Sequence, residues 1–171
     1  MTVRKTVAFS KNAANLFFHI LTRCNLNCRH CYINPEQHGK TRVPLKTIEA
    51  WLDVFSGGST APNLIFLGGE PTLHPELSEA IKYARARDFS SITVDTNGFL
   101  FNDILLKVRP DEVDFFSFSL DGATRQTNDG IRGQGSYDAC INGIQQTVSA
   151  GFGTSLIYTV SRANLHELSL M

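Results

Sequence analysis

Leu16-Phe17-Phe18-His19-Ile20-Leu21-Thr22-Arg23-Cys24-Asn25-Leu26-Asn27-Cys28-Arg29-His30-Cys31 joins a short apolar run to a loop that carries three cysteines within eight residues. The run from Leu16 to Leu21 has the length of a strand and is rich in Phe and Ile, which predicts a buried strand with the thiols just beyond its C-terminal end. Structural zinc and iron-sulfur sites usually take four protein ligands, whereas three leave one position open to a cofactor or substrate. A zinc knuckle or a redox pair is the alternative reading of the same thiols.

Working outward, the strand-then-helix rhythm repeats. Pro44 opens a helical pattern with Leu45, Ile48, Leu52 and Phe55 on one face, closed by Gly57-Gly58. Leu64–Leu67 reads as a second strand, followed by Gly68-Gly69-Glu70-Pro71 and a helix with Leu77, Ala80, Ile81 and Ala84 inward. Ile92–Asp95 is a third strand ending in Thr96-Asn97-Gly98, with a short helix around Ile104–Val108. Asp114–Leu120 is a fourth strand ending in Asp121-Gly122, and its helix runs from about Tyr137, capped by Ser136, to Gly151. Thr154–Val160 gives a fifth strand, and Leu165–Leu170 the start of a fifth helix.

Alternating strands and helices predict an α/β fold with right-handed crossovers, parallel strands and ligands at the C-terminal strand ends. An eight-unit barrel needs about 200 residues or more, so 171 residues predict a partial TIM-like barrel of about five βα units. Residues 1–14 read as a polar N-terminal extension and 15–171 as the core domain.

Sixteen Lys plus Arg balance sixteen Asp plus Glu, which gives no reason to expect a nucleic-acid partner or an acidic membrane surface. No apolar run approaches the roughly 20 residues that span a bilayer. Four cysteines, three of them crowded together, suit metal ligation in a reducing compartment better than a disulfide framework, so the expected location is the cytoplasm. Cys140 falls on the apolar face of the fourth helix with Tyr137, Ile141, Ile144 and Val148 and reads as a core residue. His19, His38, His74 and His166 have no partner spacing and read as structural or exposed.

The C-x3-C-x2-C spacing together with Gly68-Gly69-Glu70-Pro71 resembles the radical S-adenosylmethionine (SAM) superfamily, closest in look to its peptide- and cofactor-maturing members. The resemblance covers roughly residues 15 to 168. It implies that Cys24, Cys28 and Cys31 hold a 4Fe-4S cluster whose fourth iron is chelated by SAM. It implies further that Gly68, Gly69, Glu70 and Pro71 bind the SAM amino group, and that Thr96 and Asn97 border SAM or substrate. Ser119 and Asp121, which share a strand face with Ser117, would contact the ribose. Arg132 would pair with the SAM carboxylate, and His30 would lie beside the adenine. Val160 and Asn164 stand where the family's fifth strand nears adenine, but the usual glycine-and-glutamate motif is not cleanly present.

The implied chemistry is reductive cleavage of SAM to methionine and a 5′-deoxyadenosyl radical that abstracts hydrogen from a small-molecule or peptide substrate. An electron donor of flavodoxin or ferredoxin type is implied as a partner. The family's usual core has six βα units, so the expectation is that this chain is a piece of a longer enzyme, with a fifth-strand edge exposed for pairing with a second chain. A zinc- or iron-holding scaffold and an electron-transfer module are the rival readings.

Overall fold

The computed structural model describes residues 14–58 and 61–171. The predicted extension lies outside them except for Ala14, whose carbonyl accepts from Asn63 N–H at 2.8 Å. One parallel sheet runs in chain order through β1 (Asn15–His19), β2 (Asn63–Leu67), β3 (Ser91–Thr96), β4 (Phe115–Ser119) and β5 (Thr154–Ile157). The crossovers carry α1 (Leu45–Phe55), α2 (Leu77–Arg85), α3 (Ile104–Lys107), α4 (Arg125–Arg132) and α5 (Ser136–Ser149). Parallel strands in sequential order with helical crossovers make the predicted partial barrel.

Period-two alternation decides which strand residues meet the helices. Phe18, Leu64, Phe66, Ile92, Val94, Phe116 and Phe118 pack into one core with Ile48 and Leu52 of α1 and with Leu77, Ala80, Ile81 and Ala84 of α2. The intervening residues form the opposite face of the sheet, and Leu67, Asp95, Ser119 and Ile157 of that face line a cavity together with the cysteine loop.

Several element ends differ from the sequence expectation. β1 stops at His19 because Leu21 leaves the ladder to bridge Arg42 in antiparallel fashion, although Ile20 N–H still reaches the Leu67 carbonyl. β5 stops at Ile157, beyond which Thr159 N–H turns to the Asp121 carboxylate. Leu165–Leu170 is a 3-10 helix rather than an α-helix. Helix α4 has little apolar periodicity to betray it and is started by Thr124, whose side chain accepts from Thr127 N–H.

Ser136 does not cap α5. The capping position is Gly135, and the Asp129 carboxylate accepts from Gly135 N–H and Tyr137 N–H at 2.8 Å each, with the Ser136 hydroxyl also bonded to it. The buried stripe of α5 runs through Ser136, Cys140, Gly143 and Thr147, so Cys140 is in the core as predicted while Val148 is exposed. His74, expected to be structural, is fully buried between the Val43 carbonyl and Glu76 N–H.

Among the described residues β5 pairs only with β4, so its outer edge is open. No helix there is long and apolar enough to cross a membrane.

α5 lies against the turn after β3 through two glycines. A methyl group on Gly143 would overlap the Gly98 carbonyl, and Gly98 itself has φ of 92° and abuts the Cys140 backbone. Gly143→Ala should therefore lower stability in urea denaturation by about 1–3 kcal/mol, despite a helix-propensity gain of about 1 kcal/mol. Unchanged or increased stability would contradict this contact.

Candidate metal and cofactor site

The chain leaving β1 is laid directly on the chain leaving β2. Gly69 N–H donates to the Leu21 carbonyl at 2.9 Å, and Glu70 N–H donates to the Arg23 carbonyl at 2.8 Å. A Cβ on Gly68 would overlap Leu21 O, one on Gly69 would overlap Arg23 O, and Gly68 has φ of 148°. Both glycines are thus required by the approach of the chain's own cysteine loop, in addition to any ligand.

Glu70 has a structural role that its motif did not announce. It is fully buried, and its carboxylate accepts from Thr72 N–H, the Thr72 and Thr96 hydroxyls and Asn97 N–H at 2.6–3.1 Å. Burial raises its pKa, and these four donors oppose the shift. Glu70 thus ties the end of β2 to the end of β3 while lining the cavity, and its Oε2, with one donor, keeps acceptor capacity. Pro71 corrects an expectation: it is outside the cavity wall, at the start of a 3-10 turn capped by Glu70.

Cys24, Cys28 and Cys31 line one cavity of about 380 Å³, within the usual range for ligand pockets. Gly68, Gly69, Thr96, Asn97, Ser119, His30 and Arg132 are in the same wall, so the structure brings together most of the residues the sequence singled out. All three thiols are free. Leu26 N–H donates to Cys24 Sγ at 3.4 Å and the Asn97 amide at 3.8 Å, contacts that suit a sulfur carrying negative charge. Cys31 Sγ lies 3.6 Å from His38 Nε2, a neighbour that no sequence spacing announced.

Burial raises the Cys24 thiol and pushes Cys28 up to about 11. The thiols also raise one another's pKa where they act as neighbouring charges, so a metal centre is what would favour the ligating thiolates. Among the described residues no three Cys, His, Asp or Glu side chains converge on one metal-ion position. Three free thiols in one cavity wall are a donor set that could ligate three irons of a cluster and leave the fourth open.

Asp121 is the second correction. It is fully buried and outside the cavity wall. Oδ2 faces His30 Nε2 at 2.7 Å and Arg132 Nε at 2.6 Å, while Oδ1 accepts from Thr159 N–H at 2.7 Å. Its backbone is held as well, by the Asn128 side-chain oxygen and the Asn164 amide. A ribose contact has no free oxygen to use, and Asp121 instead aims two cavity residues. His30 keeps Nδ1 buried without a partner, and Arg132 Nε meets Asp121 as a close ion pair outside hydrogen-bond geometry, its terminal nitrogens making no hydrogen bond among the described residues. Asn164, considered for adenine, is a buried latch between the Asp121 and Thr159 carbonyls.

The sequence reading passed over three residues here. Tyr32 lines the cavity and donates to the Gly68 carbonyl at 3.3 Å. Asp95 lines it too and makes no hydrogen bond among the described residues; its place on the same β3 face as Thr93 was readable from alternation. Glu167, which no motif announced, accepts from the Thr124 and Thr127 hydroxyls at 2.7 and 2.6 Å and clasps the C-terminal 3-10 helix to the start of α4.

A family model described as the Radical SAM superfamily matches residues 18–170. The chain belongs to the radical SAM superfamily. Superfamily relatives similar to this chain include Fe-coproporphyrin III synthase of Methanosarcina barkeri, 33% identical over 168 residues, covering 94% of this chain and 40% of that protein. Mycofactocin maturase MftC of Mycobacterium tuberculosis is 28% identical over 155 residues, covering 90% and 39%. Among solved structures, Streptococcus suis SuiB matches with a TM-score of 0.75 at 18% identity, covering 92% of this chain and 36% of that one. The enzyme anSMEcpe, solved with bound AdoMet and a peptide, matches at 0.68 and 18%, covering 84% and 42%. The chain therefore spans less than half the length of the radical SAM proteins it matches. Cofactors of the superfamily are a 4Fe-4S cluster and SAM.

Asp121→Asn removes the charge that Arg132 faces in a buried site, and should cost about 3–5 kcal/mol in chemical denaturation. A loss below 1 kcal/mol would show that Asp121 does not hold the pair. Glu167 gives a pH test: hydrogen bonds, those from the Thr127 and Thr124 hydroxyls foremost, hold it at about 2, below its ordinary 4.5. Its contribution is complete above the ordinary value and is lost as pH falls from 4.5 toward 2. Glu167→Gln should lower the melting temperature at pH 7 and flatten that acid limb; an unchanged limb would contradict the clasp.

Proposed function

We propose that this chain forms the cluster- and SAM-binding core of a radical SAM enzyme acting in peptide or cofactor maturation. The observation that carries this reading is one cavity wall holding three free thiols, the Gly68-Gly69 backbone and the Arg132 guanidinium. Cys24, Cys28 and Cys31 would ligate three irons, leaving the fourth to SAM. When bound, the cluster and SAM supply reductive cleavage of the sulfonium and hydrogen abstraction from substrate.

The chain's own residues position and enclose. The Gly68-Gly69 backbone would take the SAM ammonium. Arg132, held by Asp121, would offer its free fork to the methionine carboxylate, a geometry suited to bidentate pairing. Ser119 supplies a hydroxyl for the ribose, and Asn97 supports Cys24 from the end of β3. His30 stands in the same wall for the adenine. The apolar part of the wall, with Leu26, Leu67 and Ile157, limits water around a reactive centre.

The names of the relatives, a coproporphyrin synthase and a mycofactocin maturase, support a maturation role. SuiB, solved with its precursor peptide SuiA, supports a peptide as one substrate class. A flavodoxin- or ferredoxin-type donor and a reducing cytoplasm complete the proposal. The open edge of β5 is offered for pairing with a second chain, and a concentration-independent monomer by light scattering would remove that part.

Anaerobically reconstituted, dithionite-reduced protein should convert SAM to methionine and 5′-deoxyadenosine, and Ala at any of the three cysteines should abolish both bound iron and product. Tightly held zinc with no iron-sulfur cluster would favour the scaffold. A redox-active cluster without SAM cleavage would favour electron transfer.

A further inference from the structure

The inner face of the sheet carries polar chemistry that neither the cluster nor SAM accounts for. Asp95 of β3 lies on the face opposite Ile92 and Val94, which are in the helix-facing core. It is in register with Ser117 of β4, which is in register with Ser155 of β5, so a polar row crosses the inner face. The two serines satisfy one another. Asp95 accepts no hydrogen bond and has no ion-pair partner among the described residues, although it lines the same cavity as the cysteines. Two residues earlier on the same face, the Thr93 hydroxyl is buried at 2% exposure and also lacks a partner.

A half-buried carboxylate that lines the cavity with no partner among the described residues is available to a ligand. Glu70, the neighbouring acid, already answers four donors, whereas Asp95 answers none among the described residues. Burial and the nearby Glu70 push Asp95 up to about 7, a cost that a ligand cation would relieve. Val94 is in register with Phe66, so Asp95 stands level with Leu67, one residue before Gly68, and the test has to separate a substrate cation from the SAM ammonium.

We propose that Asp95 binds the substrate, taking an amine, ammonium or guanidinium group on the inner face of the sheet. This rests on the radical SAM reading for the identity of the cavity. The class of substrate it selects is one that presents a cationic hydrogen-bond donor to the barrel interior, in contrast to the anionic group that Arg132 would take on the other side.

The test titrates two probes of the same shape, n-butylammonium and n-butanol, into reconstituted protein with SAM, read by ligand-detected NMR. The wild type should bind the ammonium about tenfold more tightly than the alcohol, the size of one charge-assisted hydrogen bond. D95N should erase that preference while its cluster keeps the SAM-induced spectroscopic change. No preference in the wild type, or one that survives D95N, overturns the proposal. A tenfold loss of SAM affinity in D95N overturns it as well, by assigning the carboxylate to the SAM ammonium. A wild-type cluster indifferent to SAM would sink the functional reading instead, whatever the probes do. Should D95N fail to hold its cluster, Asp95→Ser serves as the second variant with the same expectations.

Discussion

Two backbones meet where side chains would normally keep them apart. The segment after β1 rests on Gly68 and Gly69, with Gly69 and Glu70 donating to the Leu21 and Arg23 carbonyls. Everything at the site depends on this contact, because it fixes where the cysteine loop starts. Arg23 is followed directly by the first thiol, so the position of Cys24 follows from the position of β2. A Cβ at either glycine would push the loop away from the strand ends and scatter the thiols. The same contact places the Gly68-Gly69 backbone in one wall with the sulfurs.

Around this contact two buried carboxylates act as ties. Glu70 joins the ends of β2 and β3 and positions Asn97, whose amide reaches both Cys24 and the Asn25 side chain. Asp121 joins the cysteine loop, α4 and the chain after β5 through His30, Arg132 and Thr159. Each is fully buried and each is answered by several donors, the condition under which buried charge is tolerable. One acid orders the sulfur side of the cavity and the other orders the guanidinium side. Asp95, between them, is left free.

The fold was largely legible because the strand and helix periods are clean. Leu64–Leu67 and Ile92–Asp95 are each followed by a glycine-bearing turn, and the α2 face Leu77, Ala80, Ile81, Ala84 is buried as its spacing implies. Helix α4 was not legible, since its stability comes from a Thr124 cap and from Asn128 and Asp129 contacts rather than from an apolar stripe. The site's membership was legible from motif spacing at strand ends, but its division of labour was not. Glu70 and Asp121 have the residue type of ligand-binding groups, and only the hydroxyls and amides brought to them from distant strands show that they also tie the structure together. Asp95 was hidden for the opposite reason: its importance lies in contacts it does not make.

The central claim is that Cys24, Cys28 and Cys31 hold a cluster with one iron left open to SAM. Electron paramagnetic resonance of the reconstituted, dithionite-reduced protein, recorded with and without SAM, tests it most directly. The account predicts a reduced 4Fe-4S signal whose g-values shift when SAM is added. A cluster signal identical in both spectra would contradict it.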